Sequence, residues 1–339
     1  MQVIPASESD ALLRLPDERD TRLSVAPMMD RTDRHFRFLL RILSPNMRLY
    51  TEMVVAQALE FGDKEKHLQF AECEHPVALQ LGGSEPELLA KTAALGEQWG
   101  YDEINLNVGC PSDRVQSGKF GACLMAEPQT VAECVRAMGE VTQIPVTVKT
   151  RIGIDDHEDF GFLCDFIAQV ADAGCAMFLV HARKAILDGL SPKENRSIPP
   201  LRYDVVYRLK QTFPHLRIVL NGGVRDTASV NEHLRSVDGV MIGRQAYSDP
   251  YWLVELQQKL FGESPAAGSL SREAIIRQMA DYAEGELSKG VRLSHITRHM
   301  LGLYSGQRGG RHWRRYVSEE VRRPDAGPEV LLKSLDYCP

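Results

Sequence analysis

Eight short runs of apolar and β-branched residues recur along this chain, at 23–26, 48–52, 77–81, 103–107, 146–150, 177–181, 217–221 and 239–242. Stretches with helical character lie between them, most clearly at 33–43, 85–99, 128–141, 158–173, 203–212 and 227–235. Strands alternating with helices every ~30 residues indicate parallel βα units. A doubly wound sheet uses the same alternation, but eight repeats in roughly 240 residues fit a closed (β/α)8 TIM barrel better. No Gly-x-Gly-x-x-Gly follows the first run, so the dinucleotide fingerprint of a Rossmann domain is missing. Beyond the eighth run, 251–261 reads as a helix and 262–270 as a linker containing Pro265 and Gly268. Helical patterns then follow at 271–289, 293–304, 310–318 and 328–336. The expected organisation is a polar tail over 1–20, a catalytic barrel over 21–261, the linker, and a small all-helical C-terminal domain over 271–339.

The tail carries Glu8, Asp10, Asp17, Glu18 and Asp20 and lacks the basic start and apolar stretch of a secretory signal. No run of about 18 apolar residues could form a transmembrane helix. Both features predict a cytoplasmic protein with no membrane partner. The seven cysteines include no Cys-x-x-Cys pair. That argues against a disulfide framework and against the common zinc spacing, and predicts reduced, mostly buried thiols. Net charge is −6, yet residues 291–323 hold eight arginines against Glu319 and Glu320, a local +6. Such asymmetry predicts an anionic partner for the C-terminal part. No obligate protein partner is implied.

Catalytic groups of a (β/α)8 barrel lie just past the C-terminal ends of its strands. Here those positions are polar, while the runs themselves read as apolar. The ends are Pro27-Met28-Met29-Asp30, Glu52, Gln80, Asn107 with Cys110 beyond it, Lys149 and Arg151, His181 and Arg183, Asn221-Gly222-Gly223, and Gly243-Arg244. Gly222, Gly223 and Gly243 would let backbone N–H groups approach an oxyanion, and loops after strands seven and eight are the usual phosphate site of this fold. Arg244 can add a charge-assisted bond. Lys149 could form a Schiff base, or place a fixed positive charge beside an electron-rich ring. His181 could act as a base, a phosphate contact or a metal ligand. No His-x-x-x-His or carboxylate cluster supports the last role, so no metal is expected. Cys110 stands on a glycine- and proline-rich loop. An ordinary thiol, with a pKa of about 8.5, is protonated at neutral pH and can donate a proton.

Together these segments resemble the tRNA-dihydrouridine synthases. The resemblance runs through Ala26-Pro-Met-Met-Asp-Arg-Thr32, Leu106-Asn-Val-Gly-Cys-Pro111, Val148-Lys-Thr-Arg-Ile-Gly153, Leu179-Val-His-Ala-Arg183, Asn221-Gly-Gly223 and Ile242-Gly-Arg244, in that order. Leu190-Ser-Pro-Lys-Glu-Asn-Arg-Ser-Ile-Pro-Pro-Leu-Arg-Tyr203, His295-Ile-Thr-Arg-His-Met-Leu-Gly302 and Arg311-His-Trp-Arg-Arg-Tyr316 are similar to the A subfamily. The resemblance implies an FMN enzyme that uses NADPH to reduce uridine in the tRNA D-loop, at positions 20 and 20a. It implies that Pro27, Met28 and Met29 lie beside the isoalloxazine, that Gln80 bonds its edge, and that Lys149 and His181 contact the flavin or the base. Asn221, Gly222, Gly223, Gly243 and Arg244 would hold the phosphate. Cys110 would be the proton donor, and Asn107, Lys193, Arg196, Arg311 and Arg314 would contact tRNA. Two rival readings are a small-molecule FMN oxidoreductase of the same fold and a non-catalytic tRNA-binding protein.

Overall fold

The structure, a computed structural model, describes residues 14–262 and 270–337. Residues 1–13 of the expected tail, 263–269 of the expected linker and Cys338 lie outside the described residues. The strands are β1 (Leu23–Val25), β2 (Leu49–Tyr50), β3 (Val54–Val55), β4 (Val77–Gly82), β5 (Glu103–Val108), β6 (Val146–Arg151), β7 (Met177–His181), β8 (Arg217–Asn221) and β9 (Gly239–Ile242). They form one parallel sheet in the order β1-β9-β8-β7-β6-β5-β4-β2, with β3 paired to β4. A parallel bridge between Ser24 and Arg48 brings β1 back to β2. There the Val25 N–H donates to the Arg48 carbonyl at 3.1 Å, and the Arg48 N–H to the Leu23 carbonyl at 3.1 Å. The ring is thereby closed, and the expected (β/α)8 barrel is present.

Helices fill the connections as the periodicity predicts. Pro128–Val141 and Tyr203–Thr212 have the expected ends, and Pro86–Gln98, Phe160–Asp172 and Thr227–His233 lie within a residue or two of them. The second run is interrupted. Its strand stops at Tyr50 because the Thr51 hydroxyl accepts the Gln80 N–H at 3.0 Å, and pairing resumes only at β3.

The barrel interior is not uniformly apolar. Ala26, Tyr50, Ala78, Met177, Leu179, Val219 and Met241 form a buried apolar cluster. The β4–β6 sector instead carries Gln80, Glu103, Asn105, Asn107 and Thr147, all buried. This corrects the expectation of apolar interiors for every run. On β5 the residues alternate: Ile104, Leu106 and Val108 turn to the helix side, and the polar residues between them turn inward.

The chain groups into two compact units. One comprises the chain up to Met29, Arg48–Phe70 and His75–Ile242; the other comprises Asp30–Met47, Ala71–Glu74 and Gly243–Pro339. In the second unit, Asp33 caps helix Arg34–Leu43 by accepting from the N–H groups of His35 and Phe36, both at 3.0 Å. Within that unit Phe38 stacks on Tyr282 with ring centroids 3.9 Å apart, Phe36 packs on Tyr247 and His299, and Arg34 pairs with Glu286. Asp33 also accepts from Arg298 at 2.5 Å and His299 at 2.9 Å. Burial opposes its charge, but His299, the Phe36 N–H and Arg298 outweigh that and hold the carboxyl well below the usual range.

These same contacts shorten a predicted helix. The 293–304 pattern is helical only over Leu293–Thr297. Arg298 and His299 turn to Asp33, and at Gly302 a Cβ would lie 2.8 Å from the carbonyls of Tyr247 and Ser248. Helix Gly310–Glu320 buries Trp313 and Val317 and leaves Arg311, Arg314 and Arg315 exposed. Among the described residues, no helix is long and apolar enough to cross a membrane.

Candidate active site

The side chains at the C-terminal ends of β4–β8 converge. Gln80 and Asn107 are joined by a hydrogen bond of 2.9 Å from the Asn107 amide to the Gln80 carbonyl oxygen. Asn107 Oδ1 then accepts the N–H groups of Gly109 at 3.1 Å and Cys110 at 3.0 Å. This local turn follows from asparagine bonding backbone two and three residues ahead. It sets the start of the Cys110 loop directly on the end of β5. Cys110 is half-buried, and its Sγ lies 3.5 Å from the Ser112 hydroxyl.

Lys149 stands beside Asn107 in the β5–β6 register, and its ammonium donates to Asn221 Oδ1 at 3.2 Å. Asn221 is fixed from behind by its own bond to the Met241 carbonyl at 2.8 Å. The Lys149 side chain keeps some exposed surface, but its ammonium sits deep among protein atoms. Burial, and then the neighbouring Arg151, lower its pKa to about 8, while an ionised Cys110 would pull it back up. Lys149 is therefore charged at neutral pH and faces the Cys110 thiol. The sign of its effect on folding follows. A lysine held below its ordinary value costs stability in full below about pH 8, and the cost lifts as the pH climbs towards the unfolded value of ~10.4. Lys149→Met is expected to raise the melting temperature at pH 7 by several degrees. The upper limit is about 3 kcal/mol, and the gain should fade by about pH 10. Melting curves of both proteins at the two pH values check this; identical curves at pH 7 would mean that the ammonium is solvated.

Arg151, placed at a strand end by sequence but given no role, stitches two loops together. Its Nε donates to the Gly109 carbonyl at 2.8 Å, and its Nη1 to those of Lys184 at 3.0 Å and Asn195 at 3.1 Å. Asn195, fully buried, ties Ile186 and Leu190 into the same loop after β7. Lys193 and Arg196 are exposed on this loop. Gln116 bridges the Cys110 loop to it through the carbonyls of Pro111 at 3.0 Å and Leu187 at 2.6 Å. Sequence reasoning missed Asn195 and Gln116, since nothing local marks which carbonyls a side chain reaches across loops.

Gly222 and Gly223 have φ of +119° and +73°, which glycine adopts without strain. A Cβ at Gly222 would lie 2.7 Å from the His181 ring, so glycine is what lets that imidazole sit against the loop. Among the described residues, no acceptor takes the N–H of either glycine. Two such free donors in a left-handed turn fit an anionic phosphate. Gly243 and Arg244 follow β9 directly, and Arg244 opens a short helix, Arg244–Ser248. Pro27 and Met28 are half-buried and Met29 is exposed after β1. Arg311 and Arg314 lie in the second unit, where Arg314 also donates to the Leu301 carbonyl at 3.0 Å.

The other thiols differ from expectation. Among the described residues only Cys134 and Cys175 are buried, Cys123 and Cys164 are half-buried, and Cys73 is exposed. Burial pushes the thiols of Cys134 and Cys175 up to about 12.

A closed parallel barrel whose strand ends gather a thiol, two cations, paired amides and free backbone donors defines a (β/α)8-barrel enzyme. The family described as dihydrouridine synthase matches residues 24–336. The tRNA-dihydrouridine(20/20a) synthase of Vibrio parahaemolyticus is 56% identical over 319 residues, covering 94% of this chain and 97% of that protein. The proteins of the same description from Salmonella typhimurium and Escherichia coli K12 are 56% and 55% identical over 315 and 326 residues, covering 93% and 95% of this chain and 94% of each relative. The chain belongs to the dihydrouridine synthase family, and is an oxidoreductase.

Proposed function

We propose that the protein reduces uridine to 5,6-dihydrouridine in the D-loop of cytoplasmic tRNA, at positions 20 and 20a, with FMN as cofactor and NADPH as reductant. The gathering of Cys110, Lys149, Arg151 and the Gln80–Asn107 pair at one end of the barrel supports this most directly. FMN would be held by the N–H groups of Gly222 and Gly223, with Asn221 behind them. Gly243 and Arg244 join the phosphate site by their sequence positions. Pro27, Met28, Met29, Gln80, Lys149 and His181 would hold the ring and the base.

In uracil the C5=C6 bond is conjugated to the C4 carbonyl, so C6 is electrophilic. When bound, FMN supplies the hydride that C6 receives, and NADPH replenishes it. Negative charge then gathers on O4 and C5 of the base. Cys110 donates its proton to C5, which completes the reduction. The thiolate left behind faces two cations, Lys149 and Arg151. A loop nucleotide leaves its stack cheaply, which lets the base reach a barrel-top site.

Asn107, Lys193 and Arg196 would meet tRNA near the barrel top, and Arg311 and Arg314 would meet its phosphates from the C-terminal helices. Each neutralised phosphate contributes about 0.7–0.9 to the slope of log affinity against log salt. Replacing Arg311 and Arg314 by Ala should therefore flatten that slope by about one to two units, with NADPH oxidation unchanged. Filter binding at four salt concentrations checks it; parallel lines would remove both residues from the phosphate contacts.

The reading as a whole is tested by incubating the purified flavoprotein with NADPH and tRNA that lacks dihydrouridine, then mapping the modified positions. Dihydrouridine at positions 20 and 20a is the expected result. Turnover on free uridine as fast as on tRNA would replace the reading with that of a small-molecule reductase.

A further inference from the structure

The Gln80–Asn107 pair is the upper end of a longer chain inside the barrel. The Gln80 amide donates to Asn105 Oδ1 at 2.7 Å, and the Asn105 amide donates to Thr147 Oγ1 at 2.8 Å. The Thr147 hydroxyl then donates to Glu103 Oε1 at 2.5 Å, and the Tyr50 hydroxyl donates to the same oxygen at 2.9 Å. Arg48 stands 3.5 Å from the other carboxylate oxygen. Every one of these residues is buried, Glu103 and Asn105 completely.

The chain has one direction. At its top, the Gly109 and Cys110 N–H groups can only donate, so Asn107 must present its oxygen to them. Its NH2 therefore faces Gln80, which must offer oxygen in turn, and the same rule passes down through Asn105 to Thr147. The Thr147 hydroxyl must then send its proton to Glu103. A carboxylate can only accept, so the two ends agree and each amide has one satisfying orientation. Burial pushes the Glu103 carboxyl above the usual carboxylate range, while Arg48 and the two hydroxyls, which stand beside it or donate to it, work to keep it charged. Reversing any one amide would leave a buried donor facing a donor, a costly arrangement at low dielectric.

We infer that Glu103 is a positioning residue for Cys110: through Thr147, Asn105, Gln80 and Asn107, its carboxylate sets the orientation in which the Cys110 backbone is held at the barrel mouth. The inference rests on the reading of Cys110 as proton donor, and it adds a residue at the opposite end of the strand from the chemistry.

Thr147→Val keeps the side-chain shape and removes the link, whereas Thr147→Ser keeps it. Hydrogen–deuterium exchange of the peptide 106–112 reports the grip on the Gly109 and Cys110 amides without any turnover. In Thr147→Val that exchange should accelerate about five- to tenfold, the effect of one hydrogen bond. kcat for tRNA reduction should fall about as much, with KM for tRNA unchanged. Thr147→Ser should restore both. Glu103→Gln, whose amide must turn its NH2 away from Arg48 and towards Thr147, should act like Thr147→Val; it is the variant to read if Thr147→Val loses its melting transition. Unchanged exchange in both variants overturns the inference, whatever the rates. Faster exchange with unaltered tRNA reduction supports the positioning chain and overturns the assignment of the proton to Cys110.

Discussion

Cys110→Ala is expected to keep its flavin and to accept electrons from NADPH at the parental rate, yet to lose about 10²–10⁴ of its rate of tRNA reduction. The loss follows from the geometry. The thiol is presented by a loop gripped from two sides, by Asn107 Oδ1 on its N–H and by Arg151 on the Gly109 carbonyl. Among the described residues no other thiol at this loop stands in for it: Cys123 is committed to the Phe120 carbonyl at 3.1 Å, and burial raises its pKa. The missing proton would have to come from water. Single-turnover oxidation of the pre-reduced flavin by tRNA isolates this step. A rate within threefold of the parent's would take Cys110 out of the mechanism.

The second large effect lies eleven residues further on. Gly121 has φ of +79°, and a Cβ there would lie 2.3 Å from the Val115 side chain and 2.5 Å from the Cys110 carbonyl oxygen. That carbonyl accepts the Ala122 N–H at 2.9 Å, which closes the loop on itself. Gly121→Ala therefore strains the backbone and pushes on the carbonyl of the proposed proton donor. Strain and overpacking together should cost about 2–4 kcal/mol of stability. Displacing Cys110 by about 1 Å should lower the reduction rate on the order of 10²-fold. Melting curves and single-turnover rates measure the two effects separately. A variant with parental rate and lowered stability would show that the loop yields elsewhere and leaves Cys110 in place.

Much of this site was legible in the order of the residues. The Glu103-Ile-Asn-Leu-Asn-Val108 alternation already contained the inward polar face of β5, although the run reads as apolar by composition. The helical stretches 33–43 and 271–289 begin within a residue of helices Arg34–Leu43 and Arg272–Leu287, where Asp33 and Ser271 cap the first turn by accepting N–H groups. The thiol, the lysine and the paired glycines each stand where a strand of a (β/α)8 barrel ends, and a repeat of eight strands determines that without coordinates.

What the order of residues could not determine is which atoms meet across strands and loops. Lys149 finds Asn221 at a separation of 72 residues, and Arg151 finds Asn195 at 44. The helix Arg34–Leu43 reads as an ordinary barrel helix, yet its segment groups with the C-terminal helices, where Asp33, Arg34 and Phe38 meet His299, Glu286 and Tyr282. The direction of the Glu103–Asn107 chain was also decided only by the fold. Local pattern determines which way a side chain points, because strand and helix periods are properties of the backbone. The partner that fills its hydrogen bonds depends on the register between strands, which closing the barrel sets.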